Sequence, residues 1–477
     1  MNVSVSPKGA AVRADVTAAV VEATQRIRFD DIPARTIATA KRVLLDTLAV
    51  AWAAADAAGV NAARALALRG APGHASLWGE GETRREPSAA AFYNGTLAAA
   101  LDFDSLAGFV HADIIVAPAA LAVAEQQRRN GRELLAALTL GNELVVRLAA
   151  ATRTNRGFFH TSIAGVFGAA LAAARLRGLD ADRTHNALGI ALCHAGGTQQ
   201  SHVEQRLTKR LQSAFAARDG IISADLAALG TTGPRAAFEG PFGLFALFEE
   251  GRPEEVLDGL GRRFLAEETA LKRFPACGCS HAALAAALEI VAHHGIAGAD
   301  VARGEIVLTP YMARLVGGAF APEANPQVTG QFNVRYGVAA VLARGGFGLA
   351  DIEPARRCST PLSGRWWSAC PCGWTRAAPA PSLRRTSPSR PTTAAASPIA
   401  WKPCPAAPRR RGARTRSTPS WLPRSATAAT RCRPHASRRW CSASTAWRGW
   451  MIVPPSSTRC CEWRPFSSHF ARGLHGA

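Results

Sequence analysis

Apolar residues recur every three to four positions through most of the first 270 residues, and this spacing predicts amphipathic α-helices. Between residues 34 and 55 the apolar stripe runs through Ile37, Ala40, Leu44, Leu48 and Ala51. Many predicted helices carry alanine on both faces, which lets helices pack closely against one another. We therefore predict an all-helical domain over residues 1–268. Its further helices are predicted over residues 88–101, 117–127, 132–151, 162–177, 184–194, 213–229 and 242–250, with Gly- and Pro-rich breaks between them.

The pattern changes after about residue 270. Residues 282–294 and 338–343 keep helical spacing, whereas residues 304–310 form a short apolar run that ends at Pro310 and indicates a strand. A smaller α+β domain is therefore predicted over residues 269–353. The predicted fold class is mainly α, with one large helical domain and one small, truncated α+β domain.

The composition changes sharply near residue 354. Of the 56 Lys and Arg residues and the 35 Asp and Glu residues of the chain, residues 354–477 hold 22 and one, so residues 1–353 are neutral. The same tail holds nine of the eleven Trp, eight of the eleven Cys and 17 of the 29 Pro. With so many prolines and so few aliphatic residues, we expect it to be largely disordered.

Three interpretations of this tail compete. Arginines interleaved with tryptophans can bind nucleic acid. Cysteines can bind zinc, but Cys370 and Cys372 form a CxC pair, and the others fall at no ligand-like spacing. The favoured interpretation is a change of reading frame in a GC-rich gene. One choice of codons for residues 358–368, read in another frame, encodes Leu-Asp-Pro-Ala-Val-Arg-Ala-Leu-Val-Glu, a plausible helix start.

The first 353 residues fit a globular cytoplasmic protein. No secretory leader is recognisable at the start, and no uncharged apolar run reaches the ~18–20 residues that span a bilayer. The only cysteines before the tail are Cys193, Cys277 and Cys279, which are too few for a disulfide framework. No nucleotide-binding loop, haem motif or zinc motif is present, so we expect no cofactor and no metal.

Several ionisable residues lie in otherwise apolar stretches, and each has a plain structural alternative. Asp102 and Asp104 can cap a helix, and His160 can cap one or help bind an anion at a helix N-terminus. Lys209 and Arg210 can form a solvated helix start. Cys277 and Cys279 suggest a metal only weakly. The stretches are residues 94–111, 157–162, 208–218, 271–281 and 331–336.

Taken together and in this order, these stretches resemble the MmgE/PrpD family, which includes 2-methylcitrate dehydratase, cis-aconitate decarboxylase and iminodisuccinate epimerase. The resemblance covers residues 16–353. It rests on long matches that include LLDTLAVAWA (44–53), AAFYNGTLAAALDFD (90–104), GFFHTSIAGVFGAALAAARLRGLD (157–180), TKRLQSAFAARDG (208–220), KRFPACGCSH (272–281) and QFNVRYGVAA (331–340).

The resemblance implies a large helical domain and a smaller lid, with the site between them, usually in a homodimer. It marks the catalytic candidates as Asp102, His111, His160, Lys209 and Lys272. Three matches depart from the family pattern: the proline expected before His160 is absent, Gln212 replaces a histidine, and the family's KPYP is written KRFP. Thr161, Arg210, Arg273 and Tyr336 are expected to bind substrate, and Tyr311 competes with Tyr336 as the lid's active-site tyrosine.

The implied reaction removes a proton next to a carboxylate in a small di- or tricarboxylate. Such a proton is weakly acidic, so the developing negative charge must be stabilised, and Lys209 and Lys272 suit that role. His111 or His160 would exchange the proton, and Asp102 would orient a histidine. A 2-methylcitrate dehydratase-like lyase is the first expectation, with decarboxylase or epimerase next. Neither a membrane nor nucleic acid is an expected partner, although the basic tail keeps nucleic-acid binding as the alternative of another class.

Overall fold

The first and larger part of the fold is a layered helical assembly. The computed structural model describes residues 15–301, 303–320, 325–353 and 375–377, all within one compact unit. Its helices are α1 Val16–Arg26, α2 Ala34–Ala53, α3 Val60–Ala67, α4 Pro87–Ala100, α5 Asp113–Gln126, α6 Gly131–Ala150, α7 His160–Arg177, α8 Ala181–Leu192, α9 Gln200–Val203, α10 Thr208–Ala228 and α11 Leu244–Leu247.

Three short 3₁₀ helices lie in the first part of the fold, at Phe29–Asp31, Pro253–Leu257 and Leu265–Glu268. The second part contains a fourth, at Gly298–Asp300. Its helices are α12 Gly278–His294, α13 Pro310–Val316, α14 Pro326–Gln331, α15 Val334–Arg344 and α16 Leu349–Ile352. The mainly helical fold expected from the sequence is thereby confirmed. The domain boundary at residues 268 and 269 stays a prediction.

Short strands account for the remaining regular structure that is described. β1 (Ala75–Ser76) pairs antiparallel with β2 (Arg84–Arg85) in the helical part. β3 (Ile306–Leu308) pairs in parallel with β4 (Thr375–Ala377), with Ile306 opposite Thr375. Apart from β4, the tail of residues 354–477 lies outside the described residues. The expected disorder of this tail and its alternative nucleic-acid and zinc functions therefore stay predictions.

α7 lies at the centre of the helical part, where it packs on α5, α6, α8 and α10. This close packing depends on small residues. A Cβ atom on Gly168 would lie 2.7 Å from the carbonyl oxygen of Gly141, and one on Gly141 would lie 2.8 Å from that of Gly168. Both distances are below contact distance, so α6 and α7 cross at a point where neither tolerates a side chain.

The capping residues explain where several helices begin and end. The Asn130 side chain accepts hydrogen bonds from Arg132 N and Glu133 N, and Glu133 accepts one from Asn130 N, so this capping box starts α6. Gly178, with φ at 70°, ends α7 in the left-handed conformation that glycine adopts readily.

One predicted helix is largely wrong. Residues 242–250 form only the four-residue helix Leu244–Leu247. The chain turns tightly at Gly243, where a Cβ atom would lie 2.9 Å from the carbonyl oxygen of Ala237. Phe242 and Leu247 are exposed, so the apolar spacing there does not mark a buried helix face. No helix in the described ranges is long and apolar enough to cross a membrane.

Candidate active site

The candidate site is built on the turn that follows α4. Asp102 has a φ of 50°, a left-handed conformation that aspartate tolerates better than most residues. The reversal places the carboxyl groups of Asp102 and Asp104 in the protein interior, where both residues are almost fully buried. Buried carboxylates need partners, since an unpaired charge in the interior is strongly unfavourable.

Two lysines supply the opposite charges. Lys209, in the first turn of α10, forms an ion pair with Asp102 Oδ1. Lys272 Nζ lies 3.3 Å from Asp102 Oδ2 and 3.7 Å from Asp104 Oδ1, and it donates a hydrogen bond of 2.8 Å to the backbone carbonyl of Asp102. Both lysine side chains are buried. The two aspartates and two lysines therefore form a charge-balanced cluster inside the protein.

Charge pairing decides the protonation of this cluster. Burial raises the pKa of Asp102, but the positive charges of Lys209, Lys272 and His111 outweigh burial and hold that pKa well below its ordinary value. The pKa of Asp104 is lowered in the same way, burial being outweighed by Lys272 and His111. Burial lowers the pKa of Lys272, while Asp102 and Asp104 raise it, and the net direction is upward. Both carboxylates and Lys272 are therefore charged near neutral pH.

His111 lies at the edge of the cluster, with its side chain 15% exposed. Its Nδ1 atom lies 2.8 Å from the backbone oxygen of Ser105 and 2.8 Å from Asp104 Oδ2. Two acceptors at one ring nitrogen require a proton there, which leaves Nε2 as the atom that gains or loses a proton. The backbone N–H of His111 donates to Thr161 Oγ1 at 3.1 Å, so α7 helps to fix its position.

A second layer of carboxylates supports this turn. Asp113 accepts hydrogen bonds from Ser105 Oγ at 2.6 Å and from Asn142 Nδ2 at 2.5 Å. Burial raises the pKa of Asp113 to about 6 despite these bonds. Asp46 of α2 has a pKa raised to about 6 by burial and by the charges of Asp104 and Asp113. The pKa values of Asp46 and Asp113 therefore both lie above the ordinary value of a carboxyl group.

Arg210 and Thr161 connect neighbouring segments around the site, Thr161 through the hydrogen bond that it accepts from the backbone of His111. The Arg210 guanidinium donates to Ala58 O at 2.5 Å and to Gln327 Oε1 at 3.1 Å. Burial lowers the pKa of Arg210 to about 10, partly offset by Asp102. Because these partners join the helical part to α14, the structure gives Arg210 a bracing position, whereas the sequence predicted a substrate-binding one.

Three further predicted site residues do not contact the cluster. The buried His160 packs edge-on against Phe109, 4.9 Å between ring centroids, and its Nε2 lies 3.5 Å from Glu249 Oε1. Burial lowers its pKa to about 4, against a hydrogen bond to the Thr154 backbone. Arg273 is exposed and stacks over its neighbour Phe274.

The third is Tyr336, which packs inside the second part of the fold. Its ring stacks on Phe320, and its hydroxyl donates to the carbonyl oxygen of Asp351 at 2.5 Å. Tyr311 is placed differently, because its hydroxyl accepts a hydrogen bond of 2.8 Å from Gln199 of the helical part. Burial raises the pKa of Tyr311, and the nearby Cys279 and Cys277 raise it further. Of the two tyrosines, Tyr311 is the one that links both parts.

His202 lies beside the cluster and carries no motif that sequence reasoning recognised. Its pKa is lowered to about 3, first by burial and then by the charge of Lys209. The charges of Asp102, His111 and Lys272 also act on it, which places it in the same electrostatic environment. Asp104 and Asp113 had a usable signal, because they flank predicted site residues in the sequence; His202 had none.

Among the described residues, no group of three or more His, Cys, Asp and Glu side chains is arranged to hold a metal ion. Cys277 and Cys279 are unbridged at the start of α12. The hydrogen bond from Cys279 lowers the pKa of Cys277, against its burial.

Comparison with known proteins identifies the family of the chain. The family profile of the MmgE/PrpD N-terminal domain matches residues 19–256, and that of the MmgE/PrpD C-terminal domain matches residues 274–362. The chain belongs to the MmgE/PrpD family. The second profile continues past residue 353, where the composition changes.

Curated relatives of this MmgE/PrpD chain include two cis-aconitate decarboxylases and one cis-aconitate decarboxylase-like protein. A cis-aconitate decarboxylase-like protein, oryM of Aspergillus oryzae, is 30% identical over 71% of this chain and 76% of its own length. Human cis-aconitate decarboxylase is 28% identical over 63% of each chain. The Aspergillus terreus enzyme of that name is 29% identical over 56% of this chain and 59% of its own. The match thus spans less than two thirds of the human and Aspergillus terreus enzymes.

Proposed function

We propose that this chain is a cofactor-independent lyase that acts on a small di- or tricarboxylate. The observation that carries the proposal is the ion-paired cluster of Asp102, Lys209 and Lys272 beside His111, whose Nδ1 proton is fixed by Asp104 and Ser105. Such a cluster combines a proton-exchanging nitrogen with ammonium groups that stabilise negative charge, and both are needed next to a carboxylate.

Within this class, the named relatives favour decarboxylation of a cis-aconitate-like substrate. Loss of CO₂ breaks a carbon–carbon bond and leaves its electron pair on the substrate, where a proton must be delivered. His111 Nε2, when protonated, supplies that proton as the carbon–hydrogen bond forms. The N–H groups of Lys209 that are not used by Asp102 bind the remaining carboxylates. Asp104 keeps the imidazole in the required orientation throughout.

A 2-methylcitrate-type dehydration remains the second candidate, because the sequence resemblance implied it first. It uses the same groups in a different order: His111 Nε2 removes a proton next to a carboxylate, and hydroxide leaves from the neighbouring carbon. An epimerase would return the proton to the same carbon. All three reactions therefore need His111 and at least one of the lysines.

The test is a direct assay of the purified chain. CO₂ release from cis-aconitate detects the decarboxylation. A rise in ultraviolet absorbance, as a hydroxy-tricarboxylate loses water to give a conjugated alkene, detects the dehydration. His111→Gln should lower turnover at least a hundredfold, whereas His294→Gln, on the exposed end of α12, should leave it unchanged. Equal turnover in the two variants would reject the role of His111. We also propose a homodimer, which sedimentation analysis tests.

A further inference from the structure

His202 sits between aromatic rings at the border of the cluster. Its ring lies 4.9 Å from that of Phe159 and 5.3 Å from that of Phe332, edge-on to the latter. The ammonium of Lys209 lies 5.4 Å from the centroid of the same Phe332 ring. The imidazole and the ammonium therefore flank one aromatic ring, which places His202 beside a lysine of the candidate site.

The hydrogen bonding of His202 differs from that of His185 and His281. His185 Nε2 lies 2.6 Å from Arg235 O, and His281 Nε2 lies 3.2 Å from Ala276 O. His202 is 5% exposed, and its Nδ1 is fully buried without a hydrogen-bond partner among the described residues. Buried polar groups are normally satisfied, so this one requires an explanation.

The position of the proton on the His202 ring follows from the unpaired Nδ1 atom. An unsatisfied buried N–H donor is rarer in proteins than an under-satisfied acceptor, so the proton belongs on Nε2 rather than on Nδ1. Nε2 also has no hydrogen-bond partner in the described part of the chain. Unlike Nδ1, it keeps some solvent-accessible surface. The imidazole is neutral, because burial and Lys209 lower its pKa to about 3. His202 thus presents one neutral N–H donor.

Hydrogen bonds to Gln212 hold the segment that carries His202 in place. Gln212 of α10 accepts a hydrogen bond from Thr198 N at 2.6 Å and donates one to Ser201 Oγ at 3.0 Å. A donor fixed by neighbouring hydrogen bonds and by two aromatic rings is preorganised for a ligand, since no side-chain freedom is lost on binding.

We propose that the Nε2–H group of His202 binds a carboxylate oxygen of the substrate, next to the carboxylate held by Lys209. This inference deepens the proposed function and rests on it, because it assigns a further contact in the same site. A neutral donor suits this position: the lysines already face two aspartates, and a further carboxylate needs a directed hydrogen bond rather than another charge. The site thereby selects substrates with at least two carboxylates.

The experiment compares three substitutions in the full chain by calorimetric titration and kinetics with cis-aconitate. His202→Gln places an amide N–H near the position of Nε2, whereas His202→Asn and His202→Leu do not. We expect His202→Leu to raise KM and Kd roughly tenfold to a hundredfold, as for a lost hydrogen bond to a charged group, with kcat changed much less. His202→Gln should restore most of the binding, and His202→Asn should not.

Thermal melting separates binding from folding. His202→Leu should melt no lower than the wild type, because an apolar side chain replaces a buried unpaired nitrogen. A lower melting temperature together with unchanged Kd would give His202 a structural role and overturn the inference. Equal Kd values for all variants would overturn it as well. If the wild-type chain binds no di- or tricarboxylate, the proposed function falls first, and the assignment of His202 falls with it.

Discussion

Lys209 and Asp102 form an ion pair that is buried on both sides, with side chains 6% and 3% exposed. They lie 107 positions apart in the sequence, on α10 and on the turn after α4. Removing one partner of such a pair leaves a charge in the interior without compensation, which is more costly than replacing both. This relationship gives the candidate site a role in stability as well as in chemistry.

Lys209→Met should therefore lower the free energy of unfolding by about 3–5 kcal/mol. The double substitution Lys209→Met with Asp102→Asn should lose less than the sum of the two single changes, because it leaves no unpaired charge. Denaturant unfolding of the four proteins in this cycle provides the measurement. Strictly additive losses would show that the two side chains do not interact in solution.

Lys272→Ala should lower turnover by roughly a hundredfold or more, because a buried donor that stabilises developing negative charge is lost. Lys41→Ala is the matched control, since Lys41 is exposed on α2. Steady-state kinetics on the substrate identified by the direct assay compare the two. Near-normal turnover in the Lys272 variant, with a normal melting temperature, would remove this lysine from the mechanism.

Asp113 should make the protein less stable as the pH rises. Its pKa is about 6 in the folded protein against an ordinary value of 3.8, so folding favours the protonated form. A raised carboxyl pKa opposes folding increasingly as the pH climbs from about 4 through 6, in contrast to the lowered pKa values of Asp102 and Asp104. Relative to the wild type, Asp113→Asn should therefore be more favourable at pH 7.5 than at pH 5. Unfolding curves at both pH values measure this difference, and a difference of the opposite sign would contradict the assignment.

Gly168→Ala should destabilise the fold by about 1–3 kcal/mol, because the new methyl group would lie 2.4 Å from Val145 Cγ2 and 2.7 Å from Gly141 O. Gly131→Ala is the control, since a Cβ atom there meets nothing within 4 Å at the start of α6. The control should stabilise the protein by about 0.4–1 kcal/mol. Thermal unfolding that ranks the two variants in the reverse order would show that α6 and α7 do not cross as described.

Periodicity was sufficient to predict most long helices. α2, α4 and α6 lie within two residues of their predicted limits, because each presents an apolar face over several turns. α5 and α10 begin four to five residues before their predicted starts. In α10 the added residues, 208–212, are mostly polar and interrupt the stripe, whereas those of α5, 113–116, are mostly apolar. At residues 242–250 periodicity failed, because close contacts around Gly243 override a weak apolar pattern.

The site was predictable only in part. Asp102, Lys209 and Lys272 were chosen because they lie in family motifs, and the structure brings those three together with His111. Motifs mark positions along the chain but not the direction of a side chain, so they did not separate His160 from the cluster. His202 could not be found in this way, since its importance comes from an unpaired nitrogen and from rings that meet only in three dimensions.

Two hydrogen bonds from residues beyond position 268 reach the end of α4 and attach to backbone carbonyls. Gln331 Nε2 donates to Ala100 O at 3.0 Å, and Lys272 Nζ donates to Asp102 O. Residues 1–268 on their own would therefore enclose two aspartates with a single lysine and a loosened turn. The charge balance of the buried cluster is therefore assembled only when residues on both sides of position 268 are present.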